Sequence, residues 1–193
     1  MRRIVATLVH YPVLDRQRAV VTTAITNLDL HDIARSAHCY GLTDFFVAHP
    51  IAAQRELAQR VRSHWVDGTG ARRIPDRRPP MEQLRIVASL DHALGELGGT
   101  DQVELWTTSA VIGHAPVVSF AEARERIRAE GTPIMLLFGT GWGLAPEVHA
   151  RAALQLEPIQ SLRADGFNHL SVRAAAAITF DRLLSPVRDS TDE

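Results

Sequence analysis

Cysteine is nearly missing from this chain, with Cys39 the only one among 193 residues. One thiol excludes an intrachain disulfide and a cysteine-built zinc site, and it fits a reducing compartment. Long apolar runs are also missing: none approaches the roughly 18 residues of a membrane-spanning helix. Met1-Arg2-Arg3 leads into a short strand-like run rather than a signal peptide. A cytoplasmic protein with no membrane partner is expected. An excess of charge of one sign is lacking too, since the formal net charge is -1. Overall balance therefore announces no polyanion, and any nucleic-acid contact has to come from a local patch. The nine histidines, His114 among them, show no HExxH or similar ligand spacing, so no metal is expected.

What is present is ordinary globular material, 46% apolar and 22% charged, in a length that suits one α/β domain and is short for two. A single domain over residues 1–185 with a polar tail at 186–193 is expected. Residues 4–9 form a β-rich run that ends at Tyr11-Pro12, because proline stops ladder pairing. Asn27 is a good helix cap, and Leu30, Ile33, Ala34 and Ala37 then line one face of a helix ending at Gly41. A strand at 45–48 and a helix at 51–65 follow. The stretch 66–80 mixes Gly68, Gly70, Pro75, Pro79 and Pro80 with Arg72, Arg73, Arg77 and Arg78, which predicts a long polar loop.

Further along, a strand at 84–88 precedes a helix capped by Ser89, and another strand spans 103–107. Ser119 and Glu122 form a capping box that starts a helix running to Gly131. The unbroken apolar run 134–138 reads as a central parallel strand. A short strand at 154–159 and a helix at 170–184 close the pattern. That last helix carries two apolar faces, one with Ala174, Ala177 and Ile178 and one with Val172, Ala176, Thr179 and Leu183. Alternating strands and helices give an α/β fold, a mostly parallel sheet with helices on both faces. Ligands in such sheets sit beyond the carboxyl ends of the strands, here the loops after Thr107, Phe138 and Ile159.

Thr107, Thr108, Ser109 and Ala110 are small and offer hydroxyls; by themselves they also suit a plain polar turn. Gly139-Thr140-Gly141-Trp142-Gly143-Leu144 places three alternate glycines at the end of a buried strand, where positive φ and exposed backbone groups suit a ligand. The spacing is not the G-x-G-x-x-G of dinucleotide binding, which leaves a nicotinamide-dependent oxidoreductase a distant alternative. On this reading Gly141→Val weakens ligand binding and leaves the fold intact. The third segment contains Asn168 and Ser171, either of which could cap the alanine-rich last helix.

Together these segments resemble the SPOUT superfamily of α/β-knot RNA methyltransferases. Asn27 through Ala37, with Ile33-Ala34-Arg35-Ser36-Ala37, is similar to the first motif of its ribose 2′-O branch. Met135-Leu136-Leu137-Phe138-Gly139 with Gly143-Leu144 is similar to the second, and Leu170-Ser171-Val172-Arg173 with its alanines to the third. The whole chain also resembles a small bacterial family of predicted SPOUT methyltransferases that lack a separate RNA-binding domain.

The resemblance implies an S-adenosylmethionine-dependent RNA methyltransferase acting on tRNA or rRNA, a C-terminal trefoil knot through which about 154–169 passes, and a homodimer. It implies cofactor contacts from Thr107, Thr108, Ser109, Leu137, Phe138, Gly139, Thr140, Gly141, Gly143, Leu144, Ile159, Asn168, His169, Leu170 and Ser171. Arg35 and Asn27 fall on the catalytic side, with Arg35 positioning a phosphate or ribose through its planar fork. Arg72, Arg73, Arg77, Arg78 and Arg173 are the expected RNA contacts. Two departures stand out: Thr140-Gly141-Trp142 occupies the place of a usual glutamate, and Ser171 and Arg173 the places of an Asn and a Ser. These leave a ribose oxygen and a base nitrogen both open as acceptor. They also motivate an alternative, a catalytically inactive SAM- or nucleotide-binding regulatory module.

Overall fold

In a computed structural model describing residues 1–112 and 115–186, strand β1 (Ile4–Val9) is buried at every position. Apart from Thr7 its residues are apolar, and burial on both faces is what such a strand of a parallel sheet requires. An antiparallel ribbon of β2 (Val13–Leu14) and β3 (Val20–Val21) follows, then helix α1 (Asn27–Cys39). Next come β4 (Asp44–Ala48), α2 (Ala52–Val66), α3 (Thr69–Arg73), α4 (Arg78–Glu82) and β5 (Leu84–Val87). The second half runs through α5 (Leu90–Glu96), β6 (Glu104–Thr107), β7 (Val117–Val118), α6 (Phe120–Arg128) and β8 (Ile134–Gly139). It ends with α7 (Pro146–His149), β9 (Leu154–Leu156) and α8 (Val172–Leu184). His114 lies outside the described residues, as does all of the expected tail except Pro186.

Seven strands pair in parallel in the order β5-β4-β1-β8-β6-β9-β7. Alternate residues of β1 serve two cores, as a period of two dictates. Ala6 and Leu8 join α1, α6 and α8 on one face through Leu30, Ile127 and Phe180. Val5 and Val9 join α5 and α7 on the other through Leu94 and Val148. The two-faced α/β sheet expected from the alternation is therefore observed. Strand β9 lies between β6 and β7 although the chain reaches β7 first. No helix among the described residues is long and apolar enough to cross a membrane.

Three local expectations need correction. Thr26, not Asn27, caps α1: it is extended, and its hydroxyl accepts from the Asp29 amide at 3.2 Å, while Asn27 is already helical. The stretch 66–80 is not an open loop but α3, a 3-10 turn at Pro75–Arg77 and α4. Its prolines sit at the starts of the last two elements, where a missing N–H costs no helical bond. The Arg77 guanidinium lies 4.7 Å over the Trp65 ring, and Gly70 packs so tightly that a Cβ there would come within 2.7 Å of the His64 and Trp65 side chains. The last strand stops at Leu156 instead of reaching Ile159, since Pro158 cannot donate to a ladder.

Candidate functional site

The chain segments leaving β1, β6, β8 and β9 at their carboxyl ends, with the start of α8, enclose a cavity of about 960 Å³. That is at the upper end of small-molecule sites and ample for a nucleoside-sized ligand. From the loop after β6, Thr108 and Ser109 line it; from the β8 turn, Phe138, Gly139, Thr140, Gly141, Gly143 and Leu144 do. Ile159, Asn168, His169, Leu170 and Ser171 supply the third wall. Thr107 and Leu137 stand one layer behind. Thr107 is fully buried, its hydroxyl 3.4 Å from the Leu154 carbonyl and 3.1 Å from Nδ1 of His149. The Leu137 carbonyl accepts from the Thr108 amide at 3.1 Å and from its hydroxyl at 2.9 Å, which anchors that loop.

The glycines of the β8 turn answer to the protein's own backbone. A Cβ at Gly139 would sit 2.6 Å from the Leu144 nitrogen, and one at Gly141, where φ is +60°, would sit 2.7 Å from the Leu14 carbonyl oxygen. The expectation that Gly141→Val leaves the fold intact is thus corrected: the ribbon is packed directly against that position. Leu14 donates to the Gly143 carbonyl at 2.9 Å and accepts from Trp142 at 2.8 Å, while Val13 bridges Leu144. No periodicity marks the ribbon in the sequence, where its one signal is two valine-containing apolar pairs on either side of the polar residues 15–18.

The third wall is held by side chains. Asn168 donates to the Ile159 carbonyl at 3.0 Å, and His169 packs edge-on between Trp142 at 4.9 Å and Phe167 at 5.5 Å, centroid to centroid. Ser171, one of the two residues expected to cap α8, does so by accepting from the Ala174 amide at 3.2 Å. Beneath the floor, Nδ1 of buried His10 lies 3.0 Å from the Thr23 hydroxyl, which is bonded in turn to the Thr140 hydroxyl. Burial, assisted by neighbouring His49, lowers the His10 pKa to about 4, so the ring is neutral at ordinary pH.

The remaining expected residues are dispersed. Arg35 is exposed on α1, outside the cavity lining and without an ion pair among the described residues; Asn27 is exposed and also outside the lining. Arg173 engages Asp29 at 2.9 Å and Asp32 at 3.4 Å. Arg72 and Arg73 are exposed on α3, Arg77 covers Trp65, and Arg78 pairs with Glu82 at 2.8 Å. Lining residues that the sequence did not reveal include Arg16, Arg18, Thr23, Asp29 and Glu157. Both Asp29 oxygens are engaged, one by Arg173 and the other by the Thr26 hydroxyl at 2.7 Å, and Glu157 accepts from the Phe120 amide at 2.8 Å. No group of three or more His, Cys, Asp or Glu able to hold a metal occurs among the described residues.

A family model described as SAM-dependent RNA methyltransferase matches residues 3–185. The chain is 39% identical over 183 residues to a tRNA (guanine-N(1)-)-methyltransferase of Oleidesulfovibrio alaskensis, covering 95% of this chain and 42% of that protein. It thus spans less than half the length of that relative. An Aquifex aeolicus protein described as uncharacterized is 32% identical over 183 residues, covering 92% of this chain and 86% of its own. Among solved structures, a probable methylase family protein from Haemophilus influenzae Rd KW20 matches with a TM-score of 0.64 at 18% identity, over 94% of this chain and 65% of that one. At that identity the likeness shows a shared fold.

Proposed function

Because the chain belongs to the SAM-dependent RNA methyltransferase family, we propose that it transfers a methyl group from S-adenosylmethionine to a ribose or base of tRNA or rRNA. The observation that carries this reading is the convergence of the β6, β8 and β9 loops with the start of α8 around one cavity of about 960 Å³. The cavity suits the cofactor chemically. Phe138, Leu156, Ile159 and Val172 offer apolar walls for an adenine, and Glu157, which makes no ion pair among the described residues, offers negative charge toward a cationic ligand. The tRNA in the longer relative's name supports an RNA acceptor, whereas the guanine N1 position stays with that longer protein.

When bound, the cofactor supplies a methyl already activated on a sulfonium. The protein's part is to bind, orient and exclude water. Backbone groups from Phe138 to Gly143, with Ile159 and Leu170, hold the nucleoside, and the edge-on pair Trp142–His169 closes one side. Arg35 orients the acceptor through a two-pronged contact, with Asn27 on the same side. Arg72, Arg73 and Arg77 add phosphate contacts farther out.

The same reading extends to assembly. Leu162, Phe167 and Leu170 are exposed, and Ala174, Ala177 and Ile178 are only half-buried, which supports a homodimer through α8 and the segment before it. The insertion of β9 between β6 and β7 supports threading of the following segment into a knot. Residues 1–185 act as one domain, in the cytoplasm. Calorimetric titration with S-adenosylhomocysteine, then radiolabelled methyl transfer to fractionated cellular RNA, tests the reading. Saturable binding and label in an RNA fraction are expected; no binding by the folded protein overturns it.

A further inference from the structure

The ribbon β2–β3 carries two arginines whose charges no other described residue uses. Arg16 and Arg18 both line the cavity, both are exposed, and neither side chain takes part in an ion pair or hydrogen bond among the described residues. The nearest acid in sequence, Asp15, accepts instead from the Ala19 amide at 2.9 Å and shapes the turn. Arg18 is also the only non-glycine residue with positive φ among the described residues, at +66°. A long side chain held in the left-handed region costs stability, and such outliers persist where the surrounding structure enforces them.

The turn itself enforces it: the Asp15 amide donates to the Ala19 carbonyl at 3.0 Å and the Arg18 amide to the Asp15 carbonyl at 3.1 Å. Leu14 is hydrogen-bonded to both Trp142 and Gly143, and Gly141 leaves no room for a side chain beneath it. The ribbon is therefore fixed against the turn that lines the cofactor side of the cavity, and its tip holds two cations at a set place on the rim. Asp29 and Glu157 also line the cavity, but each already accepts hydrogen bonds within the fold. An anion carried into the cavity by a ligand would meet two exposed guanidinium groups that no acid among the described residues neutralises.

We propose that Arg16 and Arg18 form a phosphate clamp that grips the backbone of the acceptor RNA at the cavity mouth, beside the cofactor. The clamp rests on the methyltransferase reading above, and it assigns the ribbon the task of setting how far the acceptor nucleotide reaches toward the methyl group. Guanidinium forks suit phosphate oxygens in a two-pronged geometry.

The test uses the full chain, unfractionated bacterial tRNA as probe in fluorescence anisotropy across a salt series, and calorimetry with S-adenosylhomocysteine. In Arg16→Ala/Arg18→Ala, cofactor affinity should stay within twofold while the tRNA dissociation constant rises at least tenfold. The slope of log affinity against log salt should become shallower by roughly 1.5, the loss of two phosphate contacts. Arg18→Gly separates folding from function: it relaxes the backbone and should raise the melting temperature by roughly 2–4 °C while weakening tRNA binding. Unchanged tRNA affinity and slope in the double variant overturn the clamp. So does a tenfold loss of cofactor affinity with tRNA binding intact, which would give the arginines to the cofactor carboxylate. A wild-type protein that binds cofactor but no tRNA overturns the clamp alone; one that binds neither overturns the methyltransferase reading with it.

Discussion

Arg173 donates from Nη1 to Oδ1 of Asp29 across 2.9 Å, joining the first turn of α8 to the first turn of α1 at the edge of the cavity. The contact is largely shielded, with the Asp29 side chain 8% exposed and that of Arg173 31%. Arg173→Ala would leave a nearly buried carboxylate with only the Thr26 hydroxyl. Urea unfolding should show a loss of about 1–3 kcal/mol, and tRNA binding should keep its salt slope. A shallower slope with unchanged stability would make Arg173 an RNA contact instead.

Gly141 is expected to be intolerant for a reason internal to the fold. Gly141→Ala puts a methyl 2.7 Å from the Leu14 carbonyl oxygen at a φ of +60°. The expected cost is at least about 2 kcal/mol of stability, read by thermal or chemical denaturation. At Gly143, φ is +103° but nothing lies within 4 Å, so the same change there should cost less. Equal costs at the two positions would contradict the steric account.

Acid should destabilise the protein well before its carboxylates protonate. His10 is fully buried with Nε2 unpartnered, and burial first, then His49, lower its pKa from 6.5 to about 4. A folded value below the unfolded one means that the unfolded chain takes up the proton first as pH falls. The stabilising contribution is complete above about 6.5 and lost progressively down to about 4, and His49, lowered chiefly by burial, adds in the same direction. Denaturation at pH 7 and pH 5 should differ by about 2 kcal/mol, and His10→Gln should shrink that difference. Asp44 contributes only at lower pH: burial pushes its carboxyl up, but hydrogen bonds from Arg3 and Arg85 outweigh that and hold it below the ordinary value.

Arg35 has no ion pair to lose among the described residues. Arg35→Ala should therefore leave stability within about 0.5 kcal/mol and preserve cofactor affinity. Single-turnover methyl transfer should fall at least tenfold, about 1.4 kcal/mol of transition-state stabilisation, and Arg35→Lys should not restore it fully. Wild-type rates in the alanine variant would reduce the residue to a surface arginine.

The central strands were legible because β1, but for Thr7, and β8 are runs of apolar residues without alternation, the pattern of a doubly covered sheet. The β8 glycines and the cap at Ser171 were legible for equally local reasons. What stayed hidden depends on distant partners. Two-residue strands such as Val13–Leu14 and Val20–Val21 show no period. The helices within 66–80 are punctuated by residues that normally mark loops and are organised by Trp65 in a neighbouring helix. Asp29 reads in sequence as a charged first-turn residue, and only Arg173, far along the chain, makes its position in the cavity wall intelligible.

The place of β9 also dictates an order of events during synthesis. β6 and β7 emerge first, with nine residues between them in the chain, and consecutive strands commonly neighbour each other in a sheet. In the finished sheet they do not pair with each other, because β9 lies between them and pairs with both. A nascent chain that closed β6 onto β7 would have to reopen that seam before residues 154–156 could enter, so premature pairing is a kinetic trap written into the topology. The two-residue length of β7 keeps that trap shallow: few ladder bonds would need to break for the late strand to take its place.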